Sequence, residues 1–276
     1  MLTFSEVPNI SIAGTLVTFT PNPQKGLPPN SVEMTVEGYE TEVMILLSKL
    51  RWSWTGWALM NDIFRLRNDR TMLIIPWNEL PHIDPTTHNW EGFNATAGPV
   101  TFPKLKNGPV DMGQVKAAAY NQGRNTLVRY NPSMWLPKEV AAVGFIPKAA
   151  DFKQAPGIEK DEILLHEMVH GLRQMRGTTD LHKPKDFPHY DTVEEFMAIV
   201  VANVYRSEMG RPGLRQDHWG FNKLPPHLED PKKFLDAAGV DGESNHSRML
   251  QFQKDEPCFF EDLKRSPAAF NPFKLL

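Results

Sequence analysis

The sequence predicts an α+β fold in which a small sheet packs against two long helices. Residues 71–76 and 125–130 are short, rich in β-branched and apolar side chains, and followed closely by proline, which is typical of strands. Residues 157–172 and 191–205 are longer apolar segments with the length of buried helices. Short strands together with long buried helices favour the α+β class.

The remaining elements can be predicted in chain order. The first 35 residues contain four prolines between residues 21 and 29, so a short strand at 14–19 and an extended arm are expected. Residues 40–52 have apolar positions at helical spacing, and the aromatic-rich stretch from residue 52 to residue 64 is interpreted as core packing. Residues 77–124 are rich in Pro, Asn, Gly and Thr and are predicted to be a long irregular segment near a cleft. Short helices are expected at 231–238 and 257–266.

Composition limits the classes of function. The 276 residues are 41% hydrophobic and 23% charged, which predicts a single globular domain over residues 1–276. A formal charge of −3 gives no electrostatic reason to expect a nucleic acid or an anionic membrane as partner. No apolar run is long enough for a membrane span, and the first residues lack the pattern of a Sec signal peptide. The single cysteine, Cys258, excludes an intrachain disulfide and a cysteine-based zinc cluster.

The most informative motif is H-E-x-x-H at residues 166–170, inside the first long apolar helix. Histidines four positions apart lie on one face of a helix, so His166 and His170 can bind one metal ion. Glu167 follows the first histidine and is the candidate general base that takes a proton from a metal-activated water. Burying two histidines and a glutamate in an apolar helix is costly unless they have a partner, and a metal ion supplies one.

A zinc site needs a third protein ligand. Arg173 and Arg176 occupy the positions where the extended three-histidine motif carries glycine and its third histidine, so that class is excluded. The second long helix opens with Glu194 and Glu195 after the candidate caps at residues 191 and 192. Adjacent helical positions diverge by about 100°, so only one of these glutamates can face the ion. The residues alone leave the choice between them open.

The order of motifs resembles a known family. An H-E-x-x-H helix, a loop with a tyrosine and a helix that opens with Glu-Phe-x-Ala resemble the catalytic domain of anthrax lethal factor and related bacterial zinc endopeptidases of the gluzincin type. The resemblance implies a zincin-like fold, with residues 158–210 as catalytic core helices, and a Zn²⁺ cofactor with Glu195 as the third ligand. It also implies that Tyr190 stabilises the oxyanion of the intermediate. The family places a carboxylate one turn after the ligand glutamate to orient a zinc histidine. This chain has Ile199 there, which leaves Glu162, Asn203 or a backbone carbonyl as candidate partners.

A looser resemblance extends to secreted bacterial effector metallopeptidases that accompany type III and type VI secretion systems. It is carried by residues 190–215, by Tyr130-Asn-Pro and by Phe270-Asn-Pro-Phe. It implies a toxin or effector that is cytoplasmic in the producing cell, is exported by such a system and cleaves a protein or peptide. A secretion-system component or an immunity protein is then a further expected partner.

The expected chemistry is hydrolysis of a peptide bond. Zinc held by His166, His170 and Glu195 activates water, Glu167 moves the proton to the leaving amine, and Tyr190 assists at the oxyanion. A zinc amidase that acts on cell-wall peptides would use the same metal site and stays an alternative. A non-catalytic interaction protein on a zincin scaffold is disfavoured, because such a scaffold has no reason to keep Glu167.

Two further histidines, His218 and His189, are considered as site residues. His218 is interpreted as a solvated loop residue, because no partner spacing supports a role for it. His189 precedes Tyr190 and is a weaker candidate for contact with substrate. Either of the two predicted strands, at 71–76 or 125–130, is expected to be the sheet edge that binds substrate as an added strand.

Overall fold

The computed structural model shows a mixed α+β protein, as the sequence predicts. It describes residues 2–14, 17–18, 33–66, 70–76, 82–83, 90–91, 95–99, 123, 125–130, 132, 155–182, 190, 192–218, 222–237 and 243–276. Within these ranges there are nine short strands: β1 (Leu2–Thr3), β2 (Ile10–Ile12), β3 (Val17–Thr18), β4 (Glu33–Met34), β5 (Met72–Pro76), β6 (His82–Ile83), β7 (Trp90–Glu91), β8 (Ala95–Pro99) and β9 (Thr126–Tyr130).

Seven α-helices belong to the same described ranges. They are α1 (Val36–Arg51), α2 (Trp54–Phe64), α3 (Lys160–Arg176), α4 (Val193–Glu208), α5 (Pro231–Asp236), α6 (Asn245–Asp255) and α7 (Pro257–Lys264), with short 3-10 helices at Pro226–Glu229 and Pro272–Leu275. Among these residues no helix is both long and apolar enough to cross a membrane. One buried apolar cluster contains residues from Phe4 to Phe273, so both ends of the chain contribute to the core.

The main sheet has five strands in the order β1-β2-β5-β9-β8. Strands β2, β5 and β9 are parallel to one another, and β1 and β8 run antiparallel to their neighbours at the two edges. Met72 and Ile74 are fully buried while Leu73 and Ile75 are half-buried, which is the alternation of a strand that packs on one face. The predicted strands at 71–76 and 125–130 are therefore confirmed.

The position of those strands contradicts one expectation. Both β5 and β9 lie inside the sheet with a strand on each side, so neither is the edge that could bind substrate. Among the described strands the edges are β1 and β8, and β8 pairs antiparallel to β9 with Ala97 opposite Val128. It lies within residues 77–124, which were predicted to be irregular. The sequence Ala-Thr-Ala-Gly-Pro lacks the bulky β-branched residues by which strands are normally recognised.

One other prediction near the N-terminus is wrong. Residues 2–3 and 10–12 are strands of the main sheet, with Ile10 and Ile12 fully buried, so the first 35 residues are not simply an arm. Within the strand predicted at 14–19, Val17–Thr18 form β3, which pairs with β4 outside the main sheet, while residues 15, 16 and 19 lie outside the described residues. The prolines between 21 and 29 lie outside the described residues.

The first helical hairpin follows its sequence signals closely. Helix α1 starts at Val36, earlier than predicted, because the Thr35 hydroxyl accepts a hydrogen bond from the backbone N–H of Gly38 at 3.0 Å. Ser53 caps α2 in the same way. Leu59, Met60 and Ile63 of the aromatic-rich stretch are buried in the core, but Trp52 is 91% and Phe64 54% exposed, which contradicts the assignment of these two residues to that core.

Candidate metal centre

Helix α3 positions the H-E-x-x-H residues. It begins after Glu159, carries Asp161 and Glu162 in its first turn, and ends at Gly177, whose φ of 78° is the left-handed conformation that favours glycine. The helix is buried along nearly its whole length. A Cβ at Gly171 would lie 2.6 Å from the end of the Met72 side chain and 3.1 Å from a Thr126 methyl group, so this glycine allows α3 to lie close to β5 and β9.

Helix α4 brings the third candidate ligand to α3. Its N-cap is Thr192, whose hydroxyl accepts a hydrogen bond from the backbone N–H of Glu195 at 3.3 Å. This confirms the predicted cap and fixes the register of the first turn. The apolar residues that follow Glu195 are buried against the core, so the glutamates are held where the two helices meet.

Three ligand atoms converge between these helices. The Nε2 atoms of His166 and His170 are 3.0 Å apart, and Oε2 of Glu195 lies 3.1 Å from the first and 3.4 Å from the second. Zinc bonds of about 2.0–2.2 Å in a tetrahedral site space ligand atoms by roughly 3.3–3.5 Å, close to these separations. Two imidazoles and a carboxylate are also a usual donor set for a catalytic zinc ion. The residues therefore fit a metal ion, and they are the three that the sequence and the family resemblance selected.

The pKa values of the three candidate ligands are shifted in different directions. Burial lowers the pKa of His166 to about 3, so this imidazole is neutral. Burial also acts to lower the pKa of His170, but the carboxylates of Glu195 and Glu194 outweigh it and the pKa is raised well above its usual value. Burial would raise the pKa of Glu195, yet the imidazoles of His218 and His170 hold it well below its usual value. Metal binding at His170 would therefore compete with a proton.

Glu167 has the electrostatic properties of a general base. It is 8% exposed, and burial raises the pKa of its carboxyl to about 7 despite the opposing influence of His170. A base whose pKa lies near neutral pH can both accept and release a proton during a reaction.

The outer ring nitrogens of the two histidines differ in their surroundings. Nδ1 of His170 lies 3.2 Å from Oε1 of Glu194, the glutamate next to the candidate ligand. Among the residues that the structure describes, none lies within hydrogen-bonding distance of Nδ1 of His166. The sequence presents Glu194 as an alternative ligand or as an ordinary first-turn acid. Its place beside Glu195 is the sequence signal for the contact with His170.

The partners suggested for these histidines from the sequence are engaged elsewhere. Glu162 binds the guanidinium groups of Arg206 at 2.8 Å and Arg211 at 2.5 Å. Asn203 exchanges two hydrogen bonds with the backbone of Arg215, at 2.7 and 2.8 Å. Both expectations are therefore wrong. They failed because one turn of separation along a helix does not fix which neighbouring helix a side chain meets.

His218 is the residue that sequence reasoning placed incorrectly. Its Nε2 lies 3.5 Å from Oε2 of Glu195, and its ring stacks on that of His166 with centroids 6.0 Å apart. Its side chain is 21% exposed, more than any of the three candidate ligands. Arg215 holds the backbone before it, because its guanidinium donates to the carbonyl oxygens of Asp217 at 2.7 Å and of His218. The residue therefore belongs to the site and is not a solvated loop histidine.

Tyr190 is buried, and its ring meets that of Phe196 edge-on with centroids 5.3 Å apart. This contact places Tyr190 beside the first turns of α4, because Phe196 follows Glu195 in that helix. Its predicted role at an oxyanion stays a prediction. His189 lies outside the described residues.

Comparison with known proteins adds no relative to this picture. No protein-family model matches the chain, and no significant match exists among the curated proteins or the solved structures.

Proposed function

We propose that this protein is a zinc-dependent endopeptidase with a zincin-like fold. The observation that carries the proposal is the convergence of His166, His170 and Glu195, with ligand atoms 3.0–3.4 Å apart, beside the buried carboxyl of Glu167. A metal site with two imidazoles, one carboxylate and an adjacent base is suited to hydrolysis of amides.

The residues have distinct roles in this proposal. A bound zinc ion would act as a Lewis acid and lower the pKa of a water toward ~7. Glu167 accepts a proton from the attacking water and then delivers it to the leaving amine nitrogen. Tyr190 donates a hydrogen bond to the oxygen of the tetrahedral intermediate. His218, which is the most exposed of the histidines around the cluster, contacts the substrate.

The sheet supports the choice of a peptide as substrate. Strand β8 contacts α3, and among the described strands only β9 pairs with it. An extended peptide can add to such an edge through backbone hydrogen bonds. The zincin-like assignment has the same basis: an antiparallel edge strand lies against the H-E-x-x-H helix, and a second helix supplies the glutamate.

The proposal extends to the setting in which the enzyme acts. We propose a bacterial effector or toxin that cleaves a protein of a target cell, is exported by a type III or type VI system and is restrained by an immunity protein in the producer. This part is supported only by the sequence resemblance. A cell-wall peptide as the substrate would be consistent with the same site.

A matched pair of variants tests the central proposal. Wild type and Glu167→Gln are compared for zinc content and for cleavage of a peptide library that includes cell-wall cross-link peptides. We expect one zinc per chain in both proteins and a rate loss of roughly 10²–10⁴-fold in Glu167→Gln. Full activity in that variant, or a wild type that binds no zinc, would show that the proposal is wrong.

A further inference from the structure

A chain of buried charged groups leads away from the metal centre. It starts at Nδ1 of His170, the ring nitrogen that faces away from the three ligand atoms, 3.2 Å from Oε1 of Glu194. The other oxygen of Glu194 accepts hydrogen bonds from Nε of Arg173 at 2.8 Å and from the backbone N–H of Asp180 at 3.1 Å. Glu194 is 3% exposed and Arg173 is completely buried. Both oxygens of Glu194 are thus fixed, one of them by an imidazole.

Arg173 continues the chain into the C-terminal helices. Its Nη2 donates to the carbonyl oxygen of Thr178 at 2.6 Å and lies 3.4 Å from Oδ2 of Asp255. Its Nη1 lies 3.7 Å from Oε1 of Glu256, the completely buried residue between α6 and α7. The guanidinium also covers the ring of Phe252 in α6, 5.4 Å from its centroid. One arginine therefore connects the glutamate beside the candidate ligand to the junction of two helices far along the chain.

Fold stability alone is a weak explanation for this arrangement. A buried glutamate–arginine pair often contributes no more than apolar side chains of the same volume would. In contrast, metal-binding histidines almost always donate their second N–H to a carboxylate or carbonyl, which fixes the tautomer and the orientation of the ring. Among the described residues, Glu194 places a carboxylate oxygen 3.2 Å from Nδ1 of His170.

We infer that Glu194 and Arg173 are positioning residues of the metal centre, held in place from the junction of α6 and α7. Glu194 accepts the Nδ1 proton of His170, which leaves the Nε2 lone pair directed at the ion. Arg173 fixes the carboxylate of Glu194, and Glu256 and Asp255 fix Arg173. The inference rests on the proposed metal site and adds to it the groups that determine its affinity.

The first experiment measures zinc affinity by competition with a chelator of known affinity. Glu194→Gln keeps the size of the side chain but removes its charge, and we expect its zinc Kd to rise by roughly 10- to 100-fold. Glu208→Gln is the matched control. Glu208 lies on the same helix and binds the start of α2 through Trp54 and Thr55, about 20 Å along the helix from Glu194. The control variant should keep the wild-type Kd even if it unfolds more easily.

The second variant tests the far end of the chain of contacts. Glu256→Gln leaves all groups near the ion intact, and we expect its Kd to rise by roughly two- to thirtyfold. If Glu194→Gln does not fold, Glu256→Gln still tests the positioning role. A ¹⁵N-histidine NMR spectrum should show the Nδ1–H proton of His170 strongly shifted downfield in the zinc-loaded wild type and less shifted in Glu194→Gln, a difference that a purely structural role for Glu194 would not produce.

The outcomes separate the two ideas. If the wild type binds zinc but Glu194→Gln and Glu256→Gln bind it equally well, the positioning role is wrong and the proposed function stands. If the wild type binds no zinc, the proposed function itself fails. A Kd that rises equally in Glu208→Gln would mean that general loss of stability, not positioning, weakens the site.

Discussion

Neutralising Asp161 should destabilise the protein at neutral pH, and only about half as much at pH 3. This carboxylate lies in the first turn of α3 with its side chain 2% exposed. Its Oδ2 accepts from Arg211 at 2.6 Å and from the Tyr205 hydroxyl at 2.6 Å, and pairs with Lys49 at 2.8 Å. Burial alone would raise the pKa of Asp161, but these three groups lower it from 3.8 to about 2. The perturbation is Asp161→Asn, which keeps the shape and removes the charge.

The magnitude follows from the two pKa values. A folded-state pKa of about 2 against 3.8 in the unfolded chain corresponds to roughly 2.5 kcal/mol of stability at any pH well above 4. Because the folded pKa is the lower one, this stability is lost as pH falls through the folded-state value. Roughly half of it should remain at pH 3. Asp161→Asn lacks the titrating group, so its free energy of unfolding should be lower by roughly 2–3 kcal/mol at pH 6, and the difference from wild type should shrink in acid.

Urea unfolding followed by circular dichroism at pH 6, 4 and 3 measures this difference. Glu261→Gln is the control, because Glu261 is 57% exposed and its contact with Lys264 is a surface pair. That variant should match wild type within about 0.5 kcal/mol at each pH. An Asp161→Asn deficit of the same size at pH 6 and pH 3 would refute the reasoning, since it would show that lost packing and not lost charge causes it.

Three further predictions concern the site and its supports. His218→Ala should lower kcat/KM on a cleaved peptide while zinc content stays at the wild-type level. Steady-state kinetics and metal analysis measure the two quantities, and loss of zinc would instead make His218 a ligand. Zinc at 100 times its Kd should stabilise the fold by roughly 2.7 kcal/mol, measured as a rise in Tm that a chelator reverses; an unchanged Tm would contradict specific binding to the folded state. Thr192→Ala should cost about 1 kcal/mol in urea unfolding, because α4 loses its N-cap; no loss would mean that tertiary packing alone fixes the start of the helix.

The sequence alone was enough to predict site residues whose relative positions are set within a single helix. His166 and His170 are four apart on α3, so their convergence required only that the segment be helical. The cap at Thr192 and the strands β5 and β9 were likewise visible in short windows of sequence. The choice of Glu195 over Glu194 needed the family resemblance, and the structure brings Glu195 to both imidazoles.

The residues that were missed depend on how distant segments meet. His218 reaches the site because Asn203 and Arg215 hold its loop against α4, and no spacing in the sequence encodes that contact. The edge strand β8 has small residues and glycine, so pairing with β9 and not propensity makes it a strand. Trp52 was grouped with its aromatic neighbours, yet it follows the last residue of α1 and points to solvent.

The order of strands in the main sheet has a consequence for the order of folding. Ile74 in the central strand pairs with Ile12 on one side and Val128 on the other, both more than fifty positions away. Such distant pairings form slowly, whereas His166 and Glu195 are only 29 positions apart. The ligand-bearing helices can therefore meet before the sheet is complete, and we expect zinc present during refolding to accelerate the burial of α3. Stopped-flow refolding with and without zinc would show equal rates if the sheet must form first.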